Sequence, residues 1–233
     1  MKSKEKKTGL KTRVISGLVL APCVIFLIVL GGGFFLAMVL AAFMIALYEF
    51  FGLAYGAKRY RILHLLLGGV YLSVAFGSFI FLRFGLAEGL WLVLAMMVSV
   101  WASDTGAYFT GKTIGGAKLA PYLSPNKTWA GLGGAMFFCG LMLALVQYLR
   151  KFITFETGLA PEFDTLTIPF MLMTGFLLGA VGQVGDLLIS FYKRRAHAKD
   201  SGSLIPGHGG LLDRIDSLLL VSPVFLGILL LCR

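Results

Sequence analysis

The chain is a succession of long apolar runs set off by short polar stretches. Apolar residues fill 13–30, 34–55, 62–82, 90–109, 129–149, 168–192 and 211–231 almost without interruption, and most charges gather between these runs. A membrane-spanning helix needs about 20 predominantly apolar residues, so the pattern predicts seven transmembrane helices. Strands of a membrane barrel would alternate apolar and polar positions, and these runs do not alternate. The expected fold is therefore an all-α polytopic integral membrane protein with a single membrane domain. It divides into a basic tail at 1–12, N-terminal helices over 13–110, and a C-terminal region over 111–233 that carries the polar loops 111–128 and 193–210.

Composition agrees with this pattern. Hydrophobic residues make up 58% of the 233 positions and charged residues only 14%, against about 45–50% and about 25% in soluble domains. The formal charge of +10 then reports orientation, because basic residues collect in cytoplasmic loops, and no nucleic-acid partner is expected. With the N-terminus in the cytoplasm and seven alternating spans, every basic residue falls inside except Arg83, Arg150, Lys151 and Arg233. The stretch "KSKEKKTGLKTR" has the charge of a signal-peptide start, but no small-residue cleavage site with a polar sequel follows it. A retained signal anchor is expected. Cys23, Cys139 and Cys232 stand alone in or at the end of apolar stretches and read as packing residues, not as a zinc site or a disulfide framework. Small residues spaced for close helix contact, such as Gly175 and Gly179, read as packing too.

The acids change the picture. Of 11 in all, Glu49, Asp104, Asp186, Asp213 and Asp216 fall within or at the mouths of apolar runs. At 1.5 Å per residue, Asp104 and Asp186 lie about 10 Å in from the cytoplasmic ends of spans four and six, and Glu49 is about as deep in span two. Asp213 and Asp216 open span seven on one helical face, with Asp200 just before it. An ionised acid within a span costs about 2.5–3.5 kcal/mol on insertion scales, so such residues normally face a polar cavity and mark function. Several at one depth repel one another unless cations lie between them. Basic side chains from the loops are one solution, and bound Mg²⁺, which prefers hard oxygen ligands, is the other. The set favours a metal site.

Two loops beside these acids have the chemistry of phosphate recognition. The first, "GKTIGGAKLAPYLSPNKTWAG" (111–131), offers three lysines, hydroxyls and glycine-freed backbone N–H groups, and runs into a helix N-terminus. The second, 190–216, has a basic cluster and then His208 beside Gly209 and Gly210. Topology alone accounts for the basic residues of both loops, but not for Asp200, His208, Asp213 and Asp216 among them. Residues 106–113, "GAYFTGKT", spell a P-loop, yet that motif works only between a strand and a helix of an α/β sheet. An apolar span runs through this one. The sequon "NKT" at 126–128 lies on the cytoplasmic side and is not expected to carry a glycan.

The stretch "SFYKRRAHAKDSGSLIPGHGGLLDRIDS" closely resembles the signature of the phosphatidate cytidylyltransferases, or CDP-diacylglycerol synthases. The matching positions are Ser190, Lys193, Arg194, Lys199, Asp200, His208, Gly209, Gly210, Asp213, Arg214 and Asp216. "SDTGAYFTGKTIGGAKLAPYLSPNKTWAG" (103–131) and "GQVGDLLIS" around Asp186 are similar to further stretches of that family. Tyr192 departs from it, standing where the family usually has an aliphatic residue.

The resemblance implies transfer of a cytidylyl group from CTP to phosphatidate, giving CDP-diacylglycerol and pyrophosphate. It makes 111–233 the catalytic region and the cytoplasmic boundary of the membrane the site. Asp186, Asp213 and Asp216 are expected to be catalytic and to hold Mg²⁺, with a second cation such as K⁺ beside it. His208 is expected to donate to phosphate oxygens. Ser190, Lys193, Arg194, Lys199, Arg214, Lys112, Lys127 and Asp104 are expected to bind or orient substrate. A homodimer in a bacterial inner membrane, active on the cytoplasmic face, completes the expectation. The alternatives are a CTP-dependent polyprenol kinase, whose alcohol acceptor needs a general base, and an ion-coupled transporter, whose acids should spread across the bilayer.

Overall fold

The structure is a computed structural model that describes residues 10–56, 61–86, 88–157, 166–205 and 207–232. It contains seven helices, α1 (Leu10–Leu30), α2 (Gly32–Gly56), α3 (Arg61–Phe84), α4 (Gly89–Thr113), α5 (Trp129–Thr157), α6 (Ile168–Arg195) and α7 (Leu212–Leu231). A two-stranded antiparallel hairpin, β1 (Lys118–Ala120) and β2 (Ser124–Thr128), lies between α4 and α5. Among the described residues, α2 to α7 supply six helices long and apolar enough to cross a membrane, and α1 supplies the shorter apolar stretch Ser16–Leu30. The chain is an all-α polytopic membrane protein, with six of the seven expected spans meeting that criterion.

Several elements depart from the hydropathy pattern: α5 runs on to Thr157, past the expected end at 149, and the stretch between α4 and α5 differs in two ways. The helix α4 runs on to Thr113, past the last apolar residues, because its hydroxyls bond back to the helix. Thr110 donates to the Gly106 carbonyl and Thr113 to the Phe109 carbonyl, each at 2.8 Å. The P-loop spelling at 106–113 is therefore helical throughout. The hairpin lies in a segment with no alternating apolar pattern, so nothing in hydropathy announced it. Its strands pair Lys118 with Thr128 and Ala120 with Ser124.

The helix α5 packs between α4 and α6, and α7 bridges α6 and α3. Lipid gives helices no hydrophobic reason to associate, so small residues and close backbone contact take over. At Gly179 a Cβ would lie 2.6 Å from the Met136 Cα, and at Gly175 it would lie 2.5 Å from the Gly140 Cα. The expected role of this glycine pair is thus met at the α5–α6 contact. At Gly185 a Cβ would lie 2.7 Å from the Asp216 carbonyl oxygen, so α6 and α7 run close together beside Asp186 and Asp216.

Two buried apolar clusters result. One includes Phe35, Leu82, Met96, Leu143, Met171 and Phe225. The other, nearer the polar loops, includes Phe50, Leu53, Leu72, Ile189, Tyr192 and Leu212. The Tyr192 ring meets Phe50 and His64 edge-on at 4.8 and 5.6 Å. Outward faces carry exposed apolar side chains such as Phe26, Leu66, Phe137 and Met173. With alternating spans, α2, α4 and α6 end where α3, α5 and α7 begin. The hairpin and the 196–211 loop gather at that same end.

Candidate active site

A cavity of about 630 Å³ opens at this loop-bearing end. Asp104, Tyr108 and Lys112 reach it from α4, Asn126, Lys127 and Thr128 from β2, and Gly131 from the start of α5. Gln183, Asp186 and Lys193 come from α6, Asp200 from the loop, and Asp213, Arg214, Asp216 and Ser217 from α7. The carboxylates that hydropathy placed at one depth in spans four, six and seven thus share one enclosure.

Within it two ion pairs form. Lys127 reaches from β2 to Asp186, Nζ to Oδ2 at 2.6 Å, and donates to the Gln183 Oε1 at 2.8 Å. Ser190, one turn on from Asp186, donates to its other oxygen at 3.2 Å. Lys193 pairs with Asp213, Nζ to Oδ1 at 2.7 Å, with both side chains almost wholly buried. The second Asp213 oxygen accepts from the Ser201 N–H at 2.8 Å, the Ser201 hydroxyl at 3.0 Å and the Gly210 N–H at 3.0 Å.

The three expected metal carboxylates are therefore not equivalent. Asp186 and Asp213 each have protein donors on both oxygens. Asp216 accepts on Oδ1 from the N–H of Ser217 at 2.8 Å, and among the described residues neither it nor Asp104 is in a salt bridge. The charges of Asp104, Asp186 and Asp216 act on one another across the cavity, with Lys127 and Arg214 near enough to act on Asp104. Among the described residues no three His, Cys, Asp or Glu side chains lie close enough to form a ready-made coordination sphere. The carboxylates that line the cavity are hard oxygen donors of the kind Mg²⁺ takes, one or two at a time, with water and substrate phosphates completing its octahedron.

Not every expected residue reaches the cavity. Arg194 is exposed and braces the hairpin turn, donating to the carbonyls of Leu123 at 3.2 Å and Ala198 at 3.3 Å. Lys199 is exposed and outside the cavity lining. His208 lies against α1, with its Nδ1 2.8 Å from the Ser16 hydroxyl, and does not line the cavity either. Lys112 does, with its Nζ 3.3 Å from the Tyr108 hydroxyl. The sequence reading missed Gln183 and Asn126, which line the cavity as neutral polar groups. An amide at 183 in an otherwise apolar run was a legible signal, whereas Asn126 is one polar residue in a polar loop.

The profile of the cytidylyltransferase family matches residues 57–232. The phosphatidate cytidylyltransferase of Rickettsia bellii is 34% identical over 221 residues, which cover 94% of this chain and 90% of that protein. Proteins of the same name from Bacillus subtilis and Haemophilus influenzae are 37% and 45% identical, over 67% and 59% of this chain and 54% and 45% of theirs. The match takes in both cavity loops and all four helices that line the site, and by its reach the chain belongs to the cytidylyltransferase family.

Proposed function

We propose that this protein transfers the cytidylyl group of CTP to phosphatidate, giving CDP-diacylglycerol and pyrophosphate. The observation that carries this reading is the shared cavity, where Asp104, Asp186 and Asp216 meet Lys112, Lys127, Lys193 and Arg214. The names of the relatives support the same substrates.

In the reaction an oxygen of the lipid phosphate attacks the α-phosphorus of CTP. The bond from that phosphorus to the β-bridging oxygen breaks, and pyrophosphate leaves with the electron pair. The attacking phosphate is already anionic near neutral pH, so no general base is required of the chain. What the residues must supply is alignment and charge neutralisation, the main resources of phosphoryl-type transfers. Lys127 and Lys193 hold their ammonium groups at fixed places on the cavity wall, while Lys112 and the exposed Arg214 have room to turn toward phosphate oxygens. Ser190 orients the Asp186 carboxylate.

Asp186, Asp213 and Asp216, with Asp104 alongside, would hold Mg²⁺, Asp186 and Asp213 each by giving up a protein donor. A bound divalent ion neutralises charge on the attacking and leaving oxygens. The second cation, K⁺, belongs to the same proposal, as do contacts of His208, Arg194 and Lys199 with those parts of the substrates that extend beyond the cavity. So do the seventh span, the cytoplasmic N-terminus, an active site on the cytoplasmic face of a bacterial inner membrane, and a homodimer.

The test is purified protein in detergent with labelled CTP, phosphatidate and Mg²⁺. Label should enter the lipid in step with pyrophosphate release. Asp186→Asn should lower the rate about a hundredfold or more, since a metal contact supplies several kcal/mol and each 1.36 kcal/mol is tenfold. No labelled lipid with phosphatidate, or transfer of the CTP γ-phosphate to a polyprenol alcohol offered in its place with release of CDP, would refute the proposal.

A further inference from the structure

We infer that Glu49 of α2 is a positioning residue for the transfer reaction, an inference that rests on the function proposed above. Its carboxylate clasps the 199–211 loop and the first turn of α7, and so sets how Asp213, Arg214 and Asp216 present themselves to the cavity. Glu49 lies ahead of the stretch matched by the family profile and does not line the cavity.

Three contacts make the clasp. Glu49 Oε1 accepts the Leu211 N–H at 2.9 Å, and Oε2 accepts the Leu212 N–H at 2.8 Å. The Ser201 hydroxyl lies 2.9 Å from the same Oε2. The first N–H groups of a helix have no intrahelical acceptor and favour negative charge. Leu211, at the cap position of α7, has no side chain that can serve. A carboxylate carried by a distant helix takes that part, at 5% exposure and with no cation paired to it among the described residues.

The loop is moulded to this carboxylate. A Cβ at Gly210 would lie 2.5 Å from Glu49 Oε2 and 2.2 Å from the Ser201 hydroxyl, and one at Gly202 would lie 2.8 Å from Glu49 Oε1. Any side chain at these two positions would displace it. Ser201 then carries the effect inward, because its hydroxyl also lies 3.0 Å from the Asp213 oxygen that accepts the Ser201 and Gly210 N–H groups. Asp213 in turn pairs with Lys193 on the cavity wall. Glu49 thus acts on the reaction through Ser201, Asp213 and the helix start, without touching substrate.

The test compares wild type, Glu49→Gln, Ser201→Ala and the double variant in detergent, with turnover expressed per folded protein. Hydrogen exchange over 199–213 is followed in parallel. An amide at 49 must turn its NH₂ toward one of the two N–H donors, so the loop should lose protection while the rest of the bundle keeps it. For Glu49→Gln we expect kcat to fall about 10- to 100-fold, the usual cost of losing a group that orients catalytic ligands, with little change in the KM for CTP. Glu49→Asp should recover part of the loss. The double variant should lose less than the product of the two single losses, because the two variants share the Glu49–Ser201 contact.

Wild-type kcat in folded Glu49→Gln, or losses that multiply in the double variant, would overturn the inference. Unchanged exchange over 199–213 would overturn it too, even if wild type proved inactive toward CTP and phosphatidate and the functional reading failed by itself.

Discussion

The Lys193–Asp213 pair allows stability and chemistry to be separated. Lys193 Nζ stands 2.7 Å from Asp213 Oδ1, with side-chain exposures of 11% and 5%, and three further donors occupy Oδ2. Asp213→Asn leaves one acceptor oxygen where there were two. If that oxygen faces Ser201 and Gly210, the Lys193 ammonium stays buried beside an NH₂ group. If it faces Lys193, the Ser201 and Gly210 N–H groups lose their acceptor, while the Ser201 hydroxyl can still donate to Glu49. Removing one partner of a buried pair costs about 3–5 kcal/mol, a large part of the about 5–15 kcal/mol that holds a typical domain together. Lys193→Met combined with Asp213→Asn removes the stranded charge and lets the Asn oxygen serve the loop. Unfolding in detergent should then show the double variant recovering roughly half or more of the loss. Turnover should stay low in both, because each has lost the Asp213 carboxylate from the cavity and the double variant has lost the Lys193 cation as well. The reasoning is refuted if the double variant regains wild-type turnover, or if its stability loss is the sum of the two single losses.

Lys127→Gln should leave the helices intact and weaken productive CTP binding about 10- to 150-fold, as the removal of one charge-assisted contact worth about 1.5–3 kcal/mol predicts; a KM series for CTP at saturating phosphatidate checks this. Gly179→Val should destabilise the bundle by about 1–3 kcal/mol or more through overpacking against Met136, read as a lower unfolding midpoint. If that midpoint is unchanged, the close α5–α6 contact is wrong.

Much of the site was legible before any coordinates. Asp104, Asp186, Asp213 and Asp216 stood out because a carboxylate in an apolar run is costly unless it faces something polar, and all four line one cavity. Lys112, Lys127, Lys193 and Arg214 line it with them. The same reasoning failed to separate roles within the 190–216 stretch. Lys193 and Arg194 are neighbours in sequence, yet one is buried on the cavity wall and the other braces the hairpin from outside. Their difference is a helical rotation of about 100° per residue, which a basic cluster read as a string does not resolve.

Glu49 shows the limit more clearly. Its apolar surroundings marked it as functional or paired, and the partner it found is the backbone of a loop more than 150 residues away. What the sequence alone determined is whatever depends on local transfer energies. These include six of the seven expected spans, their helical and not barrel-like character, and the acids too costly to face lipid. What only the tertiary structure decided is which oxygen meets which donor. That follows from how closely glycine faces let α5, α6 and α7 approach and where the 196–211 loop folds back, and both are set by contacts between residues far apart along the chain.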